Sequence, residues 1–191
     1  MRLRIIITGG TFDKRYDALS GELTFRGSHL PDIISQLNLS IPVELEINQL
    51  VDSLQMDDEG RRRILEACRN APEDHILIIH GTDTMTETAA LLGEADLGKR
   101  IVLTGAMVPY TIHGSDALFN LGFGVAAVQL TEPGVYVAMS GRLFSWDNVR
   151  KNREAARFEE AIARTAPGFP AGESDQVDDP KEINEAERSG P

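Results

Sequence analysis

The sequence predicts an α/β protein: a single domain built on an open, mostly parallel, doubly wound sheet with helices on both faces. Three observations predict it. Short runs of β-branched and aliphatic residues recur along the 191-residue chain. Segments with helix start signals fall between these runs, so strand and helix patterns alternate through short connections. Most runs also end in glycine and hydroxyl residues, which suit tight strand-to-helix turns.

Residues 3–8 (Leu-Arg-Ile-Ile-Ile-Thr) form the first run, stopped by Gly9-Gly10, and read as a strand buried on both faces. Residues 12–28 are polar and punctuated by glycine, as in an ordered loop or hairpin. Residues 29–37 read as a short helix. Residues 43–50 alternate apolar and polar, predicting a strand with one more polar face. Over 57–70, acids in the first turn and Arg69 in the last complement a helix dipole. Residues 75–80 are a second buried strand. Thr84-Met85-Thr86-Glu87 has the capping-box pattern before an apolar helix. Residues 100–104 are a third buried strand, Ser115 is placed to cap a helix to about residue 129, and 134–139 is a fourth buried strand. Residues 155–163 are expected to be helical, and Phe119, Leu121 and Phe123 are expected in the core. The topology implied is flavodoxin-like or Rossmann-like. From about residue 166 the composition turns to proline, glycine and acids with few apolar residues, so we divide the chain into a catalytic-size domain over 1–165 and an acidic, disordered tail over 166–191.

Composition excludes several functions. Formal net charge is −11, which disfavours nucleic acid and anionic membrane as partners. Residues 171–191 carry seven acids against Lys181 and Arg188, five of those eleven charges, so the body is only mildly acidic. The lone Cys68 permits no intrachain disulfide and sits on the apolar face of its helix, as a structural thiol would. The N-terminal apolar run is too short for a signal peptide, and no stretch is long enough to span a bilayer, so a soluble cytoplasmic protein is expected. The four histidines show no metal-ligand spacing, and neither Gly-x-Gly-x-x-Gly nor Gly-x-x-x-x-Gly-Lys-Ser/Thr occurs. No cofactor or metal is expected, and His80 reads as a satisfied core or turn residue.

In open α/β sheets ligands bind beyond the carboxyl ends of the strands. The residues there are Thr8-Gly9-Gly10-Thr11, Gly81-Thr82-Asp83-Thr84, Gly105-Ala106-Met107 and Ser140-Gly141-Arg142. Each turn alone could be only a glycine turn with a capping threonine. Two threonine-rich turns and an aspartate at one edge favour hydroxyl chemistry. A nucleophile needs an accessible hydroxyl, a base, and donors for the oxyanion. Thr11 follows two glycines that admit close approach, and Thr82 and Asp83 open a helix whose N–H groups point outward. A desolvated lysine can serve as base. The residues alone do not choose Lys151 over Lys14 or the neighbouring arginines.

These motifs carry a resemblance. Thr8-Gly9-Gly10-Thr11 and His80-Gly81-Thr82-Asp83-Thr84-Met85 resemble the paired signatures of the bacterial-type L-asparaginases, and together they are highly specific. Gly105-Ala106-Met107-Val108-Pro109, Asp116 to Leu121, and Ser53-Leu54-Gln55-Met56 are similar to further segments of that family, so the likeness runs over about residues 3–160. It implies an L-asparagine amidohydrolase with Thr11 as nucleophile, Thr82 as second catalytic threonine and Lys151 as its base. It also implies that Asp83 pairs with the substrate ammonium, that Ser53 and Gln55 hold its carboxylate, that Gly10 and Ala106 contribute backbone to the substrate, and that Tyr16 assists Thr11. Family members carry a second domain that completes the site of a neighbouring subunit. This chain is expected to be a short form with the first domain only, acting as a homodimer or dimer-based tetramer. The alternatives are an amidase for another small amide such as glutamine, and a module that binds asparagine without turnover.

Overall fold

The computed structural model describes residues 1–162; the expected acidic tail lies outside the described residues. Six strands form the main sheet: β1 (Leu3–Gly9), β4 (Val43–Val51), β5 (His75–Ile79), β6 (Arg100–Thr104), β7 (Gly134–Met139) and β8 (Arg142–Ser145). Their order is β4-β1-β5-β6-β7-β8. All neighbours pair parallel except β7 with β8. Two small hairpins stand apart from it: β2 (Arg15–Asp17) with β3 (Glu22–Thr24), and β9 (Arg150–Asn152) with β10 (Arg157–Glu159).

The period-2 alternation of strand side chains divides the core into two layers. Ile6, Ile76, Ile78, Leu103 and Val137 point to the face covered by α2 (Asp58–Asn70) and α3 (Met85–Glu94). Ile5, Ile7, Leu77, Ile79 and Val102 point to the face covered by α1 (Leu30–Gln36) and α4 (Ala117–Leu130). Strands buried on both sides are therefore continuous apolar runs, as the sequence shows. The doubly wound expectation is met, with the 2-1-3-4-5 parallel order of flavodoxin-like folds plus one antiparallel edge strand.

Several local expectations are corrected. Residues 155–162 are not helical. Asn152 Oδ1 accepts from the Ala155 amide (3.0 Å), an Asx-type turn follows, and the chain returns as β10, burying Phe158. The capping box at Thr84 does not form: the Thr84 hydroxyl donates to the Ser53 carbonyl (2.9 Å), and Glu87 pairs with Arg61. Phe119 is 62% exposed, although Leu121 is buried and Phe123 partly so. Cys68 is fully buried, and desolvation pushes its thiol up to about 12, so it is structural.

Candidate active site

The strand order reverses around β1: the chain goes out to β4 on one side and returns to β5 on the other. The crevice between β1 and β5 is the topological switch point, where open sheets of this kind bind ligands. Thr11 follows β1 there, and Thr82 and Asp83 follow β5.

Glycine makes this junction possible. Gly10 has φ +76°, and a Cβ on it would lie 2.3 Å from Gly81 Cα. A Cβ on Gly81 would in turn lie 2.5 Å from Ser53 Oγ. The turns after β1 and β5 thus meet at backbone distance, and the β5 turn packs directly on the Ser53 side chain of the turn after β4. Gly10 N–H donates to the Val51 carbonyl (2.9 Å), and the Thr84 hydroxyl ties the β5 turn to Ser53. Lys14 forms an ion pair with Asp52, linking the Thr11 turn to the Ser53 turn. Desolvation pushes the Asp52 carboxyl up, but the Lys14 hydrogen bond, the Leu54 amide and the Lys14 charge outweigh it and hold it below its ordinary value.

Thr11 opens a single 3-10 turn, Thr11–Asp13, and is part-buried; among the described residues its hydroxyl has no hydrogen-bond partner. Thr82 is buried. Lys151 reaches it from the β9–β10 hairpin: Lys151 Nζ lies 2.7 Å from Thr82 Oγ1 and 2.8 Å from Asp83 Oδ1. Phe158 is the cross-strand partner of Lys151 and plugs into the α3 face of the core, which fixes the lysine over the end of β5. Trp146 supports the approach to this hairpin by lying on α3 at Gly93, where a Cβ would come within 2.2 Å of the ring.

Ala106 follows β6 and is fully buried. Its neighbour Gly105 faces the His80 carbonyl, which a Cβ would meet at 2.3 Å. The Met107 and Val108 amides both donate to the Asp116 carboxylate at 3.0 Å, so neither is free to receive a ligand oxygen. Asn120 ties the β6 and β7 turns together, donating to the Gly105 carbonyl (3.0 Å) and accepting from the Ser140 amide (3.0 Å).

The structure thus brings Thr82, Asp83 and Lys151 into direct contact and locks Gly10 and Ser53 against the same turn. Two expected site residues are not brought in. Tyr16 is 64% exposed on the β2–β3 hairpin and makes no hydrogen bond to Thr11, Thr82 or Lys151. Gln55 is exposed at the end of the Ser53–Gln55 turn, with no side-chain hydrogen bond among the described residues. A groove of 420 Å³ lies elsewhere, between α2 and α3, lined by Asp58, Arg61, Glu87 and neighbours; it contains none of the expected site residues. Among the described residues no group of three histidine, cysteine or acidic side chains could hold a metal ion, and no helix is long and apolar enough to cross a membrane.

Sequence reasoning placed His80 in the core but missed what it does. It is fully buried, with Nδ1 2.8 Å from the Gly81 carbonyl and Nε2 2.8 Å from Thr88 Oγ1. A carbonyl only accepts, so Nδ1 carries the proton and Nε2 accepts from the Thr88 hydroxyl. Burial pushes this imidazole down to about 4; the Gly81 bond opposes the shift and Arg61 adds to it. A neutral, fully satisfied His80 therefore fixes the turn that carries Thr82.

Fold and site together define a flavodoxin-like α/β domain that gathers two threonines, an aspartate and a lysine at its switch point. The asparaginase N-terminal domain family matches residues 2–163, and the chain belongs to that family. It is 28% identical over 165 residues to a glutaminase-asparaginase of Acinetobacter glutaminasificans, a match covering 77% of this chain and 48% of that protein. It is 36% identical over 152 residues to one of the subunits of a glutamyl-tRNA(Gln) amidotransferase of Methanococcus maripaludis, covering 73% of this chain and 35% of that one. Among solved structures, the L-asparaginase of Thermococcus kodakarensis superposes with a TM-score of 0.70 at 25% identity, over 84% of this chain and 51% of that chain. The chain therefore spans about half the length or less of the relatives it matches.

Proposed function

We propose that this protein is an amidohydrolase that releases ammonia and aspartate from L-asparagine through a threonine nucleophile. The observation that carries the reading is the contact of Lys151 Nζ with both Thr82 Oγ1 (2.7 Å) and Asp83 Oδ1 (2.8 Å) at the switch point beside the Thr11 turn. In this reading Thr11 Oγ1 attacks the side-chain amide carbonyl. The C–N bond then breaks, the leaving nitrogen takes up the hydroxyl proton and departs as ammonia, and an acyl-enzyme remains. Water attacks this ester and gives a proton to Thr82, whose hydroxyl proton passes to a neutral Lys151. The acyl C–O bond then breaks, aspartate is released, and a proton returned from this relay restores the Thr11 hydroxyl. Asp83 pairs with the substrate ammonium, Ser53 holds the carboxylate with Gln55 at its rim, and the Gly10 and Ala106 backbone lines the amide. Tyr16 assists Thr11 when its hairpin folds inward. The active form is a cytoplasmic homodimer or dimer-based tetramer, and the acidic tail is dispensable for activity.

The test is ammonia release from L-asparagine and L-glutamine, with Thr11→Ala beside the native protein. Release from asparagine that falls at least about a thousandfold in Thr11→Ala is the expected result. Faster release from glutamine would reassign the substrate. Tight asparagine binding with no release would reduce the protein to a binding module.

A further inference from the structure

Asp13 takes part in no step above, yet it is a fully buried carboxylate two residues after Thr11. Burying an ion is costly unless its oxygens are satisfied, so a retained buried carboxylate has work to do. Asp13 Oδ1 accepts from Ser28 Oγ (3.0 Å) and from the His29 amide (2.9 Å), closing the base of the loop that contains the β2–β3 hairpin. The amide it holds opens α1, a helix with no side-chain cap of its own; the acceptor comes instead from sixteen residues away. Ser28 Oγ in turn accepts from the Leu30 amide (3.1 Å).

The same cluster reaches the segment after β6. His29 Nδ1 lies 3.1 Å from an Arg15 guanidinium nitrogen, and the His29 ring leans on Tyr110 with centroids 5.2 Å apart. Phe12 stacks on the other side of this contact, 6.4 Å from Tyr110 at 9°, and Tyr110 N–H donates to the Phe12 carbonyl (3.2 Å). Three buried polar atoms within it, Asp13 Oδ2, Arg15 Nε and His29 Nε2, have no partner among the described residues. Desolvation pushes the Asp13 carboxyl above its ordinary value, against the His29 amide, the Ser28 hydroxyl and the Arg15 charge. An apolar side chain would fill this site without such cost, so the carboxylate serves the shape of the turn.

We propose that Asp13 is a positioning residue: it clasps the Thr11 turn to the start of α1, and through Phe12, His29 and Tyr110 to the segment carrying Ala106. The proposal rests on the amidase reading for its effect on catalysis. Its geometry is tested independently of turnover.

The experiment compares Asp13→Ala, Asp13→Asn and Ser28→Ala with the native protein by steady-state ammonia release and by amide hydrogen exchange. The reporting amides are those of Asp13, which donates to Gly10, and Lys14, which donates to Thr11. Asp13→Ala should lower kcat at least tenfold with KM within threefold, and raise exchange at these two amides tenfold while β5 and β6 amides stay protected. Asp13→Asn keeps an oxygen acceptor and should restore both readouts to within about threefold. Ser28→Ala, which removes one of the two donors to Asp13 together with the acceptor of the Leu30 amide, should fall between them, and it decides the matter if Asp13→Ala does not fold. Unchanged exchange at Asp13 and Lys14 in the tested variant, a loss confined to KM, or an Asn variant as impaired as Ala would each overturn the clasp. If the native protein hydrolyses no amide, the amidase reading fails while the exchange comparison still upholds or overturns the clasp.

Discussion

Replacing Lys151 separates a proton-transfer role from a structural one. Lys151 Nζ makes two charge-assisted contacts, to Thr82 and Asp83. Its side chain is 13% exposed and that of Asp83 is 33% exposed. In Lys151→Met the apolar stem is kept and the nitrogen is lost. Asp83 can rehydrate, so the stability loss should be near that of a partly screened pair, about 1 kcal/mol. For a domain of this size that lowers Tm by about 2–4 °C. Catalysis should suffer far more. General acid–base assistance is worth about 10²–10⁴-fold, or roughly 3–5 kcal/mol of barrier.

Lys151→Arg sharpens the comparison. Arginine keeps the charge beside Thr82 and Asp83 but does not give up its proton. If Lys151 is a base, the Arg variant should be as slow as the Met variant. If it is only a fixed positive charge, Arg should restore most of the rate. The assay is coupled ammonia release for kcat and KM, with thermal unfolding of each variant beside it. Activity in Lys151→Met within threefold of native, or full rescue by Arg, would refute the proton-transfer role. A Tm loss well above 10 °C with parallel loss of activity would show the lysine to be a structural pin.

Two further outcomes follow from the same geometry. Gly10→Ala combines a left-handed φ of +76° with a Cβ 2.3 Å from Gly81 Cα, so it should destabilise by about 2 kcal/mol or more and abolish activity, measured by urea unfolding and ammonia release. His80, held near 4 when folded, should be near 6.5 unfolded, so the unfolded chain binds more protons between those values and stability falls as pH drops through that window. The loss from pH 7 to pH 4 attributable to this residue is about 3 kcal/mol, and the difference in unfolding free energy between these pH values should shrink accordingly in His80→Gln.

What could be read from the sequence follows from how local each feature is. The central strands β1, β5, β6 and β7 were legible because burial on both faces leaves an unbroken apolar run. Helix α2 was legible because its first-turn acids and apolar spacing are local; Asp57 caps it by accepting from the Gly60 amide (2.8 Å). Strand β8 was not recognised, although the signal was there. Ser140 and Gly141 form a two-residue connection with φ of 51° and 77°, the positive values of a tight antiparallel hairpin. Residues 155–163 misled because Arg-Glu-Ala-Ala favours helix by propensity, while Asn152 turns the chain and the burial of Phe158 holds it there. Phe119 misled because α4 carries no charged residue, so its sequence does not say which side faces the sheet.

The candidate site divides along the same line. Thr11, Thr82, Asp83 and Ala106 all stand directly after sheet strands, where topology alone brings them to one edge. Lys151 stands on a hairpin outside the main sheet, and its position depends on Phe158, Trp146 and α3. No local pattern encodes that contact, so the residues left Lys151 level with Lys14, and only the family likeness chose between them. Lys14 is instead engaged by Asp52. The remaining specification is negative. Gly10, Gly81 and Gly105 hold the site together by lacking a side chain, because each stands where a Cβ would enter a neighbouring turn. A hydrogen-bonded pair can often be weakened and still close, but the backbone approaches at Gly10 and Gly105, and the packing of Gly81 on the Ser53 side chain, cannot, since one added carbon forces the turns apart. The geometry around Thr11 and Thr82 should therefore tolerate the loss of a single hydrogen bond better than the gain of a single methyl group at any of these three glycines.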